Sequence, residues 1–219
     1  MKLKSFGCSF IFGTDLHDDS RLAAKATPSN YTWPALLARQ HNLEYHCYAR
    51  PGAGNLEILE RLLSQLTDVE PAVYVVGWTW IDRFSYIGDT DRWFNTPWRS
   101  IMPVDTDATA EMYYRHLHSE TRDKLTTLLN VRTAIDALRA SGNRFIMTYM
   151  DDLMFDQRWN TTPAITALQG YCEPHMTRFA GRNLLDYSKE SGFEISPTRH
   201  PLEAAHASAA ELINSYNLV

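Results

Sequence analysis

Apolar and polar positions alternate along the chain in blocks that predict strands separated by helices. Leu3–Cys8 and Leu43–Ala49 alternate with the period of a strand, and Ala72–Trp78 is a continuous apolar run typical of a central parallel strand. A fourth strand is predicted over Asn143–Met150, directly after Ser141-Gly142, a pair that ends helices. Strands of this kind favour a sheet that is mainly parallel.

The segments between these strands have the spacing of helices. Helices are predicted over Trp33–Gln40, Leu56–Leu66, Thr109–Ala140 (as one helix or two) and Leu202–Tyr216, with irregular structure and short helix over Arg158–Ala180. Strands that alternate with helices form βαβ units with right-handed crossovers. The pattern therefore predicts a three-layer α/β/α sandwich. Because the sequence has no repeat and no linker, we expect residues 1–219 to form a single domain.

The composition of the chain excludes several classes of protein. The chain has 219 residues, 44% of them hydrophobic, and a formal net charge of -5, so no basic stripe is available for nucleic acid. No apolar run approaches the roughly 20 residues that cross a bilayer, and no signal-peptide pattern is present. Cys8, Cys47 and Cys172 show neither a pairing pattern nor metal-ligand spacing. We expect reduced thiols, a cytoplasmic location, and no metal or cofactor.

Aromatic residues are concentrated in one polar, turn-rich segment, Phe84–Trp98. Its polarity favours a long ordered loop over a strand. Trp93 and Trp98 would either stack on a sugar ring or acyl group as a lid beside the site, or form a protein–protein contact, since aromatic residues are enriched at interface centres. A loop folded over the protein's own surface is the third interpretation, and the oligomeric state stays open.

The loops after the predicted strands carry the candidate chemistry, because parallel strands bring such loops to one edge of the sheet. Ser9, where the first strand ends, is a candidate nucleophile, with capping of a turn as its alternative role. His200, before the last helix, is a candidate general base, whereas His206 is interpreted as a packing or surface residue. The glycines of Arg50–Asn55 can present backbone N–H groups to an oxyanion.

Four short blocks with these residues resemble, in order and spacing, the SGNH/GDSL hydrolase superfamily: Gly7-Cys-Ser9, Pro51-Gly-Ala-Gly-Asn55, Gly77-Trp-Thr79 and His200-Pro201. The resemblance extends over nearly the whole chain. It implies a flavodoxin-like sandwich whose five strands have the order 2-1-3-4-5, and metal-independent esterase, lipase or carbohydrate O-deacetylase activity. It also implies that Ser9 is the nucleophile, that His200 is the base, and that Gly52, Asn55 and Thr79 supply the oxyanion donors.

Two positions depart from the family pattern. Thr79 stands where the family has an oxyanion-hole asparagine, and a threonine hydroxyl has a shorter reach. The family's acid precedes its histidine by two or three residues, where this chain has Thr198 and Pro197. Loss of an orienting acid costs up to ~10⁴-fold in serine proteases. The candidates for an acid from elsewhere are Asp151, Asp152 and Glu194.

The residues expected to line the substrate are Trp78, Trp80, Asp82, Arg83 and Trp93. For Asp82 and Arg83, an ion pair that braces the site is the alternative. The pairs Asp89/Asp91, Asp105/Asp107 and His116/His118 are interpreted as turn or helix residues rather than metal ligands.

Three function classes remain. The preferred one is a serine ester hydrolase that acts on a small-molecule or glycan ester through an acyl-enzyme intermediate. The second is an SGNH-like binding or structural protein without turnover, which the altered Gly77-Trp-Thr79 block and the missing acid favour. A virion or glycan-binding role is included because the sequence resembles phage and marine bacterial proteins. The third, a flavodoxin-like nucleotide or cofactor binder, is disfavoured because no phosphate-binding glycine pattern follows the first strand.

Overall fold

The computed structural model describes residues 1–19, 26–66, 70–91 and 96–217, with the backbone alone at 89–91. The strands are β1 (Lys2–Phe6), β2 (Glu44–Cys47), β3 (Ala72–Trp78), β4 (Phe84–Asp91), β5 (Thr96–Ile101) and β6 (Arg144–Tyr149). The helices are α1 (Ser9–Phe12), α2 (Trp33–Gln40), α3 (Asn55–Gln65), α4 (Ala108–His116), α5 (Glu120–Ser141), α6 (Pro163–Cys172), α7 (Leu184–Glu190) and α8 (Glu203–Ser215).

Four strands form a parallel sheet in the order β2-β1-β3-β6. This confirms the mostly parallel α/β/α class and the first four positions of the expected strand order. The fifth parallel strand is reduced to one bridge between Met147 and Met176. Phe179 then pairs with Arg182 in a tight turn, so the chain leaves the sheet edge before a fifth strand can extend.

The sheet separates two hydrophobic clusters, and the central strand β3 contributes to both. Val73 and Val75 belong to the cluster that includes side chains of α2 and α8, whereas Tyr74, Val76 and Trp78 belong to the cluster that includes side chains of α3, α5 and α6. Successive side chains of a strand point to opposite faces, so a continuous apolar run is what a strand covered on both faces requires.

Helix caps explain why the predicted segment Thr109–Ala140 is two helices. The Asp107 carboxylate accepts hydrogen bonds from the first turn of α4, and the Ser119 hydroxyl accepts one from Arg122 N in the first turn of α5. Each cap satisfies backbone donors that a helix start leaves without an intrahelical acceptor. Of the helices in the described part of the chain, none combines the length and apolar character needed to cross a bilayer.

The expectation of a loop over residues 84–98 is wrong, because β4 and β5 form an antiparallel hairpin there. Phe84 and Tyr86 share one face of β4, and the Phe84 ring stacks on Tyr113 of α4 with its centroid 4.0 Å away. On β5, Trp98 Nε1 donates to Glu60 Oε2 of α3. A hairpin with one packed face tolerates polar residues on the other, so polarity did not exclude strands. The helix α7 also had no predicted counterpart. Single-domain organisation stays a prediction.

Candidate active site

Ser9 is held at the carboxyl edge of the sheet by close packing of α1 on the strand ends. Ile11 of α1 lies against Gly7 and Gly77: a Cβ on Gly77 would lie 2.7 Å from Ile11 Cγ1, and one on Gly7 only 2.5 Å. A side chain larger than hydrogen fits at neither position unless Ile11 or the whole of α1 shifts. The two glycines therefore let the short helix sit directly on β1 and β3, with Ser9 at its first position.

His200 approaches Ser9 from the turn between α7 and α8. The turn is closed by hydrogen bonds from Ser196 N to His200 O (2.8 Å) and from His200 N to Ser196 Oγ (3.0 Å). His200 Nε2 lies 2.8 Å from Ser9 Oγ. The Phe10 ring packs beside the imidazole with its centroid 5.0 Å away. Ser9 is 8% exposed and the His200 side chain 14%, so both are only slightly accessible to solvent.

The carboxylate that contacts His200 belongs to Asp15, in the segment just beyond α1. Asp15 Oδ2 lies 2.9 Å from His200 Nδ1 and also accepts a 2.7 Å hydrogen bond from Ser196 Oγ and one from the Thr198 hydroxyl. Ser9, His200 and Asp15 therefore form one hydrogen-bonded chain. Its geometry matches a nucleophile, a base and a group that orients the base.

The hydrogen bonds at Asp15 favour its ionised form. Burial alone would raise the pKa of this carboxyl group, but the hydrogen bonds from Thr198, Ser196 and His200 outweigh burial and hold the pKa well below its usual range. A permanent negative charge therefore faces His200 Nδ1 near neutral pH. Because an ionised carboxylate only accepts hydrogen bonds, we assign the imidazole proton to Nδ1, which leaves Nε2 free to accept a proton from Ser9.

The three acids expected from the sequence lie elsewhere. Asp151 accepts hydrogen bonds from Ile81 N (3.1 Å) and Leu153 N (3.0 Å), and burial raises its pKa. Asp152 and Glu194 are exposed, and no hydrogen bond joins either to His200. The correction follows from the short α1: one helical turn after Ser9, the chain turns back and carries Asp15 to the same edge of the sheet.

One of the three expected oxyanion donors, the Asn55 amide, is occupied within the protein. Asn55 Nδ2 donates to Thr79 O and Thr127 Oγ1 (both 3.2 Å), and Asn55 Oδ1 accepts from Thr79 N (2.9 Å). The Thr79 hydroxyl is buried without a hydrogen-bond partner in the described part of the chain. Asn55 therefore braces the loop after β3. Gly52, at a φ of 79°, retains a backbone N–H that no described acceptor contacts.

A buried ion pair fixes the loop that carries Gly52. Arg50 Nε donates to Glu57 Oε1 (2.7 Å) and Arg50 Nη2 to Glu57 Oε2 (2.5 Å), while Glu57 itself is fully buried. Arg61 adds a third contact to the same carboxylate at 2.9 Å. A bidentate pair of this kind fixes the relative orientation of the two side chains and also adds interaction energy. It ties the loop after β2 to α3.

No protein-family model and no curated protein sequence matches the chain. Among solved structures, a lipolytic protein of the G-D-S-L family from Veillonella parvula matches with a TM-score of 0.54 at 12% identity, covering 98% of this chain and 97% of that one. The psychrotrophic esterase EstA from Pseudoalteromonas sp. matches with a TM-score of 0.52 at 11% identity, covering 98% and 94%.

The chain has the fold of the GDSL lipolytic proteins. A carbohydrate esterase, described as having an active site with divergent catalytic and non-catalytic binding functions, shares this fold with a TM-score of 0.55 at 15% identity. The alignment covers 99% of this chain and 64% of that one. Identities this low show the shared GDSL fold, and the chemistry has to be argued from the side chains.

The tryptophans that were expected to line the substrate lie in different surroundings. Trp78 is fully buried in a hydrophobic cluster and does not line a site, because β3 directs it away from α1. Trp80 packs edge-on against Phe10, with ring centroids 5.6 Å apart, and Phe10 in turn packs beside His200. Trp93 lies outside the described residues.

Asp82 and Arg83 do not form the ion pair considered from the sequence. Tyr114 Oη donates to the Asp82 backbone carbonyl (2.6 Å), and burial raises the pKa of the Asp82 carboxyl group. Arg83 donates to Ala53 O and Met102 Sδ, each at 3.2 Å. Arg83 therefore joins the loop before α3 to the hairpin, which is a bracing role.

The remaining titratable residues singled out in the sequence have local roles. Asp105 and Asp107 accept backbone hydrogen bonds, from Met102 N and in the first turn of α4. His206 is buried, and its Nδ1 accepts from Trp33 N at 3.2 Å, which fits a packing role. In the described ranges, no three His, Cys, Asp or Glu side chains cluster as metal ligands.

Proposed function

We propose that the protein is a divergent SGNH/GDSL-type serine ester hydrolase. The observation that carries the proposal is the chain of contacts from Ser9 Oγ to His200 Nε2 (2.8 Å) and from His200 Nδ1 to Asp15 Oδ2 (2.9 Å). These distances are within the reach expected of a nucleophile, its general base and the group that orients the base.

In the proposed reaction, Ser9 Oγ attacks the carbonyl carbon of the ester while its proton moves to His200 Nε2. The negative charge of Asp15 stabilises the resulting imidazolium. When the tetrahedral intermediate collapses, the bond to the alcohol breaks and the leaving oxygen takes the proton from Nε2. Water then attacks the acyl-Ser9 ester by the same route, with His200 as base, which releases the acid and restores Ser9.

Backbone donors hold the oxyanion in this proposal. Ser9 N–H is at the first position of α1, where a helix offers donors without intrahelical acceptors. Gly52 N–H is the second donor, on the loop fixed by Arg50 and Glu57. The Asn55 side chain is not assigned to the oxyanion, because it already holds the Thr79 backbone. The Thr79 hydroxyl has no described hydrogen-bond partner and stays a predicted third donor.

Hydrolysis of p-nitrophenyl acetate by the wild type, Ser9→Ala and His200→Ala tests the activity. The proposal predicts that both variants lose activity while their melting temperatures stay near that of the wild type. A wild type no faster than Ser9→Ala on this ester and on acetylated glycans would refute it. Glycan acetates belong in the test because a neighbour with this fold is a carbohydrate esterase.

A second candidate is a glycan-binding protein in which the fold persists without turnover. The observation that favours it is the loss of the Asn55 side chain as an oxyanion donor, since its amide is occupied by Thr79 and Thr127. Removal of a single oxyanion donor costs on the order of 10²–10³ in kcat in a serine protease. Binding of acetylated oligosaccharides that are recovered intact would favour this candidate over the hydrolase.

A further inference from the structure

A cavity of about 200 Å³ lies between α3, α5 and β4, and none of Ser9, Asp15 and His200 lines it. An engineered cavity of roughly 150 Å³ binds benzene, whereas one water takes up roughly 30 Å³ of liquid. The cavity therefore has room for a small organic molecule. Two oppositely charged side chains of its wall, Arg83 and Asp123, each keep one buried polar atom without a hydrogen-bond partner in the described part of the chain.

Arg83 brings a positive charge that forms no ion pair with a described carboxylate. Its Nη1 donates to Ala53 O and its Nη2 to Met102 Sδ, each at 3.2 Å, and its Cζ lies 5.4 Å from the centroid of the Trp80 ring. These partners are neutral, and a thioether sulfur is a weak acceptor. The buried Nε donates to no described atom. A guanidinium held in this way favours an anionic acceptor, because charge-assisted hydrogen bonds are the stronger ones.

Asp123 brings a negative charge that is compensated on one oxygen only. The residue is 8% exposed, and its Oδ1 accepts from Arg122 Nη2 at 2.6 Å and from Arg122 Nε at 3.1 Å.

Asp123 Oδ2 accepts no hydrogen bond within the described ranges. His118 Nε2 lies 3.1 Å from it, but the two atoms are not aligned for a hydrogen bond, and His118 does not line this cavity. Burial raises the pKa of the Asp123 carboxyl group, and the charges of Arg122 and His118 oppose this rise without cancelling it. Oδ2 therefore favours a cationic donor.

The size and charges of the cavity fit a small zwitterion. Buried charges are costly unless they are paired and hydrogen-bonded. A ligand with one charge would leave either Arg83 or Asp123 as it is, whereas a zwitterion pairs with both. Its carboxylate would accept from Arg83 Nε, and its ammonium group would donate to Asp123 Oδ2. Leu56, Ile81 and Phe84 add an apolar wall against which a short carbon chain packs.

We propose that this cavity binds a small amino acid, with its carboxylate on Arg83 and its ammonium group on Asp123. The site does not rest on the proposed hydrolase activity, because it shares no residue with the Ser9–His200–Asp15 chain.

Isothermal titration calorimetry near neutral pH with glycine, β-alanine and γ-aminobutyrate tests the proposal. These zwitterions differ in the number of carbons between the amine and the carboxylate, so the series finds the separation that spans Arg83 and Asp123. We expect saturable binding of at least one of them, equally in the wild type and in Ser9→Ala. Acetate and ethylamine, which carry one charge each, should bind about 10-fold more weakly or not at all, since each lacks one hydrogen bond to a charged group.

Two results of this titration would overturn the proposal. One is the absence of saturable binding by all three zwitterions. The other is binding of acetate or ethylamine as tightly as the best zwitterion, which would indicate a site for a single charge.

Arg83→Met and Asp123→Asn test the two contacts separately. Each removes one charge and keeps the approximate size of the side chain, so affinity for the best zwitterion should fall about 10-fold or more. Arg158→Met and Asp152→Asn make the same changes at exposed positions outside the cavity and should bind like the wild type.

Circular dichroism identifies the variants that fold. Should one of Arg83→Met and Asp123→Asn not fold, the other decides. If neither folds, Arg83→Lys replaces them, because it keeps the charge but lacks Nε, and its affinity should also fall. Undiminished binding by a folded variant of Arg83 or Asp123 would refute the proposed site.

Discussion

Asp15 Oδ2 lies 2.9 Å from His200 Nδ1, although the two residues come from opposite ends of the chain. Asp15 follows the same short helix that begins with Ser9, so one segment supplies both the proposed nucleophile and the proposed acid, and the turn before α8 supplies the proposed base. The position of the acid in this chain therefore depends on where α1 ends rather than on the sequence before His200.

Asp15→Asn should lower kcat by about 10²–10⁴-fold with little change in KM, because the amide no longer stabilises an imidazolium or fixes the tautomer. Steady-state kinetics on p-nitrophenyl acetate measures the effect. Asp152→Asn is the matched control: it makes the same chemical change at an exposed position that the sequence also offered as the acid. If the control lost as much activity as Asp15→Asn, the assignment of Asp15 would be wrong.

Thr198 is a positioning residue in this account, because its hydroxyl contacts both Asp15 Oδ2 and His200 Nδ1. Thr198→Val should reduce kcat on the order of 10-fold, in line with the loss of one hydrogen bond to a charged group. KM should stay unchanged. Thr198→Ser keeps the hydroxyl and should restore most of the rate. Equal loss in the valine and serine variants would show that the methyl group matters, not the hydroxyl.

Gly77→Ala tests the packing that places Ser9. The added methyl would lie 2.7 Å from Ile11 Cγ1, so we expect it to displace Ile11 together with α1 and to lower activity at least 10-fold, since small displacements of reacting groups are costly. Ile11→Ala removes the obstructing atoms, and the double variant should recover part of the lost activity. An additive loss in the double variant would contradict this explanation. The measurement is kcat/KM of the four proteins, with circular dichroism as the check on folding.

His206 should make the protein acid-sensitive. Burial lowers its pKa from 6.5 to about 4; Glu203 opposes that shift and His200 adds to it. Between those pH values the unfolded chain binds a proton that the folded protein does not, so the free energy of unfolding falls as the pH falls. The full shift corresponds to roughly 3 kcal/mol.

His206→Asn keeps an acceptor for Trp33 N without a titrating group. Urea unfolding between pH 7 and pH 4 should therefore show a shallower loss of stability in the variant than in the wild type. Parallel curves for the two proteins would show that His206 is not the group responsible.

The hydrophobic pattern predicted the sheet well. Strand β3 is covered on both faces, and its continuous apolar run is the pattern that a central strand of an α/β sheet requires. It missed the β4–β5 hairpin, whose strands are held by pairing and by the Phe84–Tyr113 stack rather than by an apolar run. The contact between Phe84 and Tyr113 joins residues far apart in the sequence, so it produces no local pattern of apolar positions from which the strands could be predicted.

The site was predictable in part. Ser9 and His200 lie at the ends of predicted elements, and the structure brings them into contact. Asp15 was not predicted, because the candidate acids were Glu194, shortly before His200, and Asp151 and Asp152, at the end of the fourth predicted strand. The segment after Ser9 holds several acidic residues, and nothing in their pattern selects one. The signal that existed was Gly13, which ends α1 after a single turn and returns the chain toward Ser9.

The most direct test of the central claim is labelling with a fluorophosphonate, which reacts with an activated serine, followed by mass spectrometry of the intact protein and its peptides. The account predicts one phosphonyl group on Ser9 in the wild type, none in Ser9→Ala, and much slower labelling in His200→Ala and Asp15→Asn. A folded wild type that stays unlabelled at Ser9, or that labels at the same rate as His200→Ala, would contradict it.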